Sequence, residues 1–318
     1  MDYFAPTTLA GLEVKNHFLR AATAEAKATE EGYPTDAVGR MYEALAPQVG
    51  LIISSYTTVS TDDHPAKSQL CLATDAAIPH FQRIVERTHD AGGKLVLQLV
   101  QGSSISQVDR AHVPMSPSGV TDLYSGRPSK EMSLEDIATI KKRFVAAAKR
   151  AEAAGADGVE LHAAHGYLLS QFLSILYNKR TDAYGGAAEN RARIIVEILE
   201  EMRRECPKLA LLVKMNATEG IPGGYDLEEF VAMAKAIAPH ADAIEVSGGD
   251  WALFDEEGGP FYLKEAKALV EAVSCDVILT GGIRKKKDLT AAEAAGISFL
   301  GLSRPLLKNP AYLETLRH

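Results

Sequence analysis

The chain has 318 residues, 46% of them hydrophobic and 24% charged, with a formal net charge of −8. That balance suits a globular enzyme with a large core and argues against nucleic acid or an anionic membrane surface as a partner. Cys71, Cys206 and Cys275 lie far apart without a Cys-x-x-Cys pair, which disfavours a zinc ribbon, an iron–sulfur cluster or a disulfide scaffold and fits a reducing, cytoplasmic setting.

Met1-Asp2-Tyr3-Phe4 is not a basic segment leading into an apolar run, so no signal peptide is expected. No stretch reaches the roughly 20 apolar residues of a membrane span. In chain order, short apolar runs at Phe18–Thr23, Gly50–Ser55, Lys94–Leu99, Gly158–His162, Leu209–Met215, Ala243–Ser247, Asp276–Thr280 and Ser298–Leu302 predict strands. Each precedes a helical pattern, at 36–47, 78–92, 133–154, 189–205, 227–239, 262–274, 286–295 and 306–317. The runs are too apolar for half-exposed strands and suit a parallel sheet covered on both faces. Eight β-then-α units predict a single-domain α/β fold over residues 1–318, a closed (β/α)8 TIM barrel. Glycines in Ala91-Gly92-Gly93, Ala154-Gly155-Ala156 and Ala295-Gly296-Ile297 stand where helices should end, and Ser133 stands where one should begin. The stretch 100–132, punctuated by Pro114, Pro117 and Pro128, reads as a long lid or binding loop after strand three.

Barrel enzymes build their sites where strands end. Strand four ends in His162-Ala-Ala-His165-Gly-Tyr167, two imidazoles and a phenol at one strand mouth. From this segment alone, a structural pair, a metal site and a catalytic group all remain open.

The order His162-Ala-Ala-His165-Gly-Tyr167-Leu-Leu-x-Gln171-Phe172-Leu173, then Asn178-x-Arg180-x-Asp182-x-Tyr184-Gly-Gly and Glu189-Asn190-Arg191, strongly resembles the old yellow enzyme family of NADH:flavin oxidoreductases. Further stretches extend the resemblance over nearly the whole chain: Arg20-Ala-Ala-Thr23, Val96-Leu-Gln98-Leu, Val213-Lys214, Glu245-Val-Ser247-Gly-Gly249, Gly281-Gly282-Ile283 and Gly301-x-x-Arg304-Pro305. The resemblance implies bound FMN, with NADH or NADPH as reductant and a small-molecule acceptor. It implies cofactor contacts from Ala21, Ala22, Thr23, Ala24 and Tyr56, largely through backbone. Gln98 would meet the flavin pyrimidine and Lys214 its N1–O2 edge. Gly249, Gly281, Gly282, Ser303 and Arg304 complete the implied set, the last four around the phosphate. His162 and His165 would bind an acceptor oxygen, and Tyr167 would protonate the neighbouring carbon of an activated alkene. A nitro compound fits the same layout.

Two departures stand out. The family often has His-Ala-Gly after Gln-Leu, where this chain has Val100-Gln101-Gly102, and Ala24 stands where a Thr or Cys commonly tunes the flavin. A flavin-free barrel lyase or isomerase, and a non-catalytic or regulatory flavin-binding barrel, are the rival readings. No metal is expected, and a homo-oligomer is compatible with the sequence.

Overall fold

The computed structural model describes residues 1–62, 66–106, 113–123, 125–248 and 259–317. Among these residues, eight parallel strands close into a barrel: Phe18–Arg20, Leu51–Ile53, Leu95–Val100, Gly158–Ala163, Ala210–Asn216, Ala243–Ser247, Asp276–Thr280 and Phe299–Leu302. Each pairs in parallel with the next, and the eighth returns to the first through Leu300↔Phe18. The expected fold is thus the observed one. The strands are almost wholly buried because helices cover their outer face and side chains fill the inner one.

The helical boundaries follow the anticipated signals. Ser133 caps Leu134–Ala153 through Asp136 N at 3.1 Å, and Asp136 Oδ2 accepts from Ser133 N at 2.8 Å, a reciprocal capping box. Gly92, Gly155 and Gly296 follow their helices with φ of +77°, +81° and +75°, the left-handed turn that releases the chain into the next strand.

Three details differ from expectation. Strand one stops at Arg20 rather than Thr23. Beyond it the chain coils on itself, with Thr23 Oγ1 donating to Ala21 O at 2.9 Å and Arg20 reaching back to Thr23 O at 3.3 Å. The last helix splits into Arg304–Lys308 and Glu314–Arg317, because Pro310 cannot donate a helical hydrogen bond. A hairpin also precedes the barrel, Thr7–Leu9 against Leu12–Val14, turned by Ala10-Gly11 with φ of +50° and +77°. Its Leu9, Ala10 and Val14 pack on Leu19, Leu51, Val96 and Phe299 inside the barrel, closing the end where the strands begin.

Candidate functional site

The apolar plug fills one end of the barrel, and the polar side chains that follow it along the inner face collect at the other. Side chains alternate along a strand, and Val96, Leu212 and Ala243 belong to the inner cluster. Their inward partners two and four residues on are Gln98, Lys214, Asn216, Glu245 and Ser247. Strand four adds Glu160 and His162, with His162↔Lys214 and Lys214↔Glu245 adjacent across the ladder.

The lower layer is a closed set. Gln98 Nε2 donates to Glu160 Oε2 at 2.6 Å, and Lys214 Nζ stands 3.0 Å from Glu245 Oε1. All four residues are essentially inaccessible to water. Burial first, and then the charge of Glu245, raise the Glu160 carboxyl well above the usual carboxylate range. Gln98, expected at the flavin, commits part of its amide to this carboxyl.

The upper layer holds the His162–Tyr167 segment. Ala164 N–H donates to His162 Nδ1 at 3.3 Å. Burial, then the charges of His165 and Lys214, keep this imidazole far below its ordinary pKa. A neutral ring that accepts at Nδ1 carries its proton on Nε2. His165 has a left-handed backbone, φ +59°, followed by Gly166 at +78°. The bend is held by Asn216 Oδ1, which accepts from His165 N at 3.0 Å. His165 Nε2 lies 3.2 Å from Ser247 Oγ. Burial and the Lys214 charge push its pKa down to about 4, against a smaller opposing effect of Glu245.

The imidazoles meet edge to face with centroids 5.1 Å apart, and the Tyr167 ring stands 4.8 Å from that of His162. Tyr56 packs on Tyr167 at 5.7 Å. Burial chiefly, and the neighbouring Tyr56, raise the Tyr167 phenol above its ordinary pKa, so it keeps its proton at neutral pH. Tyr167 precedes a short helix, Leu168–Leu173, fixed from below by Leu168 N to Gln101 O at 3.1 Å. Gln171 in that helix accepts from Ser103 Oγ and donates to Ser104 Oγ, both at 2.7 Å, tying loop three to loop four.

The second half of the motif is scaffold. Asn178 Nδ2 donates to Phe172 O and Tyr184 O at 2.7 Å. Arg180 pairs with Asp182 and donates to Pro117 O at 2.7 Å and Met132 O at 2.6 Å, pinning the described part of the long loop against loop four. Arg191 donates to Leu173 O and Gly186 O.

The structure therefore brings His162, His165, Tyr167, Tyr56 and Lys214 together. Among the first-loop residues, Ala21 is buried, Ala22 and Thr23 are half-buried and Ala24 is exposed. Gly281-Gly282 and Ser303-Arg304 follow the neighbouring strands seven and eight at the same end. Gly249 lies outside the described residues. Glu160, Asn216, Glu245 and Ser247 were not singled out from sequence as site residues. The two-residue period that places each beside a named residue could have found them. Among the described residues no group of three or more His, Cys, Asp or Glu is placed to hold a metal ion, and no helix is long and apolar enough to cross a membrane.

The family model for the NADH:flavin oxidoreductase / NADH oxidase family matches residues 2–318. An NADPH dehydrogenase of Geobacillus sp. (strain WCH70) is 31% identical over 96% of this chain and 91% of its own length. Among solved structures, an old yellow enzyme homologue from Zymomonas mobilis superposes with a TM-score of 0.83 at 24% identity, over 99% of this chain and 92% of that one. A 2-naphthoyl-CoA reductase gives 0.91 at 23% identity, with 98% of this chain matching 51% of that larger one. The chain is thus an enzyme of the NADH:flavin oxidoreductase / NADH oxidase family, the FMN-dependent barrel family to which the old yellow enzymes belong.

Proposed function

We propose that this enzyme reduces an alkene activated by a carbonyl or nitro group, using NADH or NADPH through FMN. The observation that carries this reading is the grouping of two neutral imidazoles and one protonated phenol within about one ring's width at the barrel mouth. When bound, FMN supplies the two-electron carrier between the nicotinamide and the acceptor.

The residues present fit that cofactor. Lys214, ion-paired and buried, supplies a cation for the N1–O2 edge, and Gln98 has amide capacity left beyond Glu160 for the pyrimidine. Thr280 Oγ1 is buried with no hydrogen-bond partner among the described residues, at the mouth of strand seven. Gly281 and Gly282, with φ of +114° and +81°, follow it. A Cβ on Gly282 would come within 2.2 Å of Gly259 O, so only glycine allows this close approach of two backbones in the turn whose N–H groups would face the phosphate. Arg304 would add a charge-assisted contact from loop eight. Ala21–Ala24, Tyr56 and Ser303 would line the remainder, Gly249 following strand six.

His162, with its proton on Nε2, and His165 would donate to the acceptor oxygen, where negative charge grows as the alkene is reduced. A neutral donor aimed at developing charge is worth about 3 kcal/mol. Tyr167, which holds its proton at neutral pH, would give it to the adjacent carbon. The test is rapid-mixing absorbance of the purified holoenzyme. NADH or NADPH should bleach the flavin, and a cyclic enone or nitroalkene should restore its colour. Bleaching without recovery by any such acceptor would contradict the reading.

A further inference from the structure

Below the histidines lie two glutamates that the chemistry above does not use. Glu160 and Glu245 are both fully buried and in direct contact. Apart from the Lys214 ion pair, neither Glu245 oxygen nor Glu160 Oε1 has a hydrogen-bond donor among the described residues. Two carboxylates facing each other in a buried site would repel strongly, and each would keep an oxygen without a donor. One proton between them removes both problems. It turns one acceptor into a donor and leaves a single negative charge opposite the single positive charge of Lys214.

The surroundings decide which carboxyl keeps that proton. Glu245 has the ammonium at 3.0 Å. Among the described residues Glu160 has no ion-pair partner and instead accepts the neutral amide of Gln98 at 2.6 Å. We infer that Glu160 is a neutral carboxylic acid that donates to Glu245, and that Glu245 is a positioning residue whose charge partly offsets Lys214 and so holds down the reduction potential of the FMN.

The inference rests on Lys214 facing the flavin, as proposed above. Reduced FMN carries one more negative charge than oxidised FMN at neutral pH. A nearby cation therefore favours the reduced form, and a carboxylate bound to that cation weakens the preference. In this enzyme the potential is set by a pair, a lysine and its counter-ion, rather than by a lone cation. The Gln98 amide links the same set to the flavin's pyrimidine end, so Glu160 fixes which of its groups remains for the cofactor.

The experiment is the two-electron midpoint potential of the holoenzyme in wild type, Glu245→Gln, Glu245→Asp and Glu160→Gln. Removing the Glu245 charge should tighten binding of reduced over oxidised FMN by tenfold or more, a positive shift of about 30 mV or greater. Glu245→Asp should return most of the way towards wild type. Glu160→Gln keeps a neutral donor in place and should leave the potential near the wild-type value. The infrared spectrum of wild type at neutral pH should contain a protonated-carboxyl band that Glu160→Gln removes. An unchanged or lowered potential in Glu245→Gln would overturn the inference. So would a Glu160→Gln shift as large as that of Glu245→Gln, or absence of the carboxyl band. If Glu245→Gln does not fold, Glu160→Gln and the infrared band decide alone. None of these readouts depends on an alkene acceptor, so the inference and the proposed reaction can fail separately.

Discussion

His165 shows how a single side chain is prepared for its proposed work. Its left-handed backbone, φ +59°, is uncommon outside glycine and is held by Asn216 and the following Gly166. Truncating it to alanine should weaken binding of a phenolate inhibitor by about 100-fold, the equivalent of one oxyanion donor of about 3 kcal/mol. A visible titration of the charge-transfer band would read that loss, and unchanged affinity would remove His165 from the oxygen-binding role. At this scale the sequence was partly legible. The three side chains His162, His165 and Tyr167 declared themselves by their spacing and by the family motif. The groups that hold His165 in place did not, because Asn216 and Ser247 come from other strands and meet it only through barrel register. The structure also adds a tautomer, since only the backbone donor at Ala164 says which nitrogen of His162 carries hydrogen.

At the scale of elements, the barrel strands and most helices were readable from apolar runs and caps, because both signals are local. The short helix Leu168–Leu173 was not. All six of its residues are buried, Ser170 and Gln171 included, so it has no solvent-exposed face to mark a helical period. Nor was the plug hairpin, whose strands are three residues each. The motif from Asn178 to Arg191 reads like chemistry and proves to be carpentry. Arg180 joins the long loop to loop four through two carbonyls and Asp182. Replacing it with alanine leaves the Pro117 and Met132 carbonyls without that donor. The variant should lose about 2–4 kcal/mol in urea unfolding while bound FMN keeps its spectrum. A loss below about 0.5 kcal/mol would mean that the loop is held elsewhere.

For the molecule as a whole, the closed barrel separates tasks. The hairpin and apolar layer occupy one end, and the titratable groups of the candidate site collect at the other. That burial has a consequence for acid stability. In the folded chain His165 takes up a proton only near pH 4, against about 6.5 when unfolded. Between those values the unfolded chain binds more protons, so this group makes stability rise with pH from about 4 to 6.5 and fall on acidification. His162 acts in the same direction. Glu160 acts in the opposite one, since its raised pKa means that the folded chain holds a proton the unfolded chain releases. The histidine contribution is therefore read as a difference. Urea unfolding of His165→Asn across pH 4.5–6.5 should give a stability that rises less, or falls more, with pH than in wild type, and an equal slope would show that His165 is not the group responsible.

The reaction itself is tested most directly by Tyr167→Phe, which removes one hydroxyl and leaves the ring packed on His162 and Tyr56. In single-turnover mixing, flavin bleaching by the nicotinamide should stay within about twofold of wild type. Reoxidation by an enone should slow by about 10²-fold or more, the usual worth of a positioned general acid. Equal slowing of both half-reactions, or of neither, would contradict the assignment of Tyr167 as the proton donor.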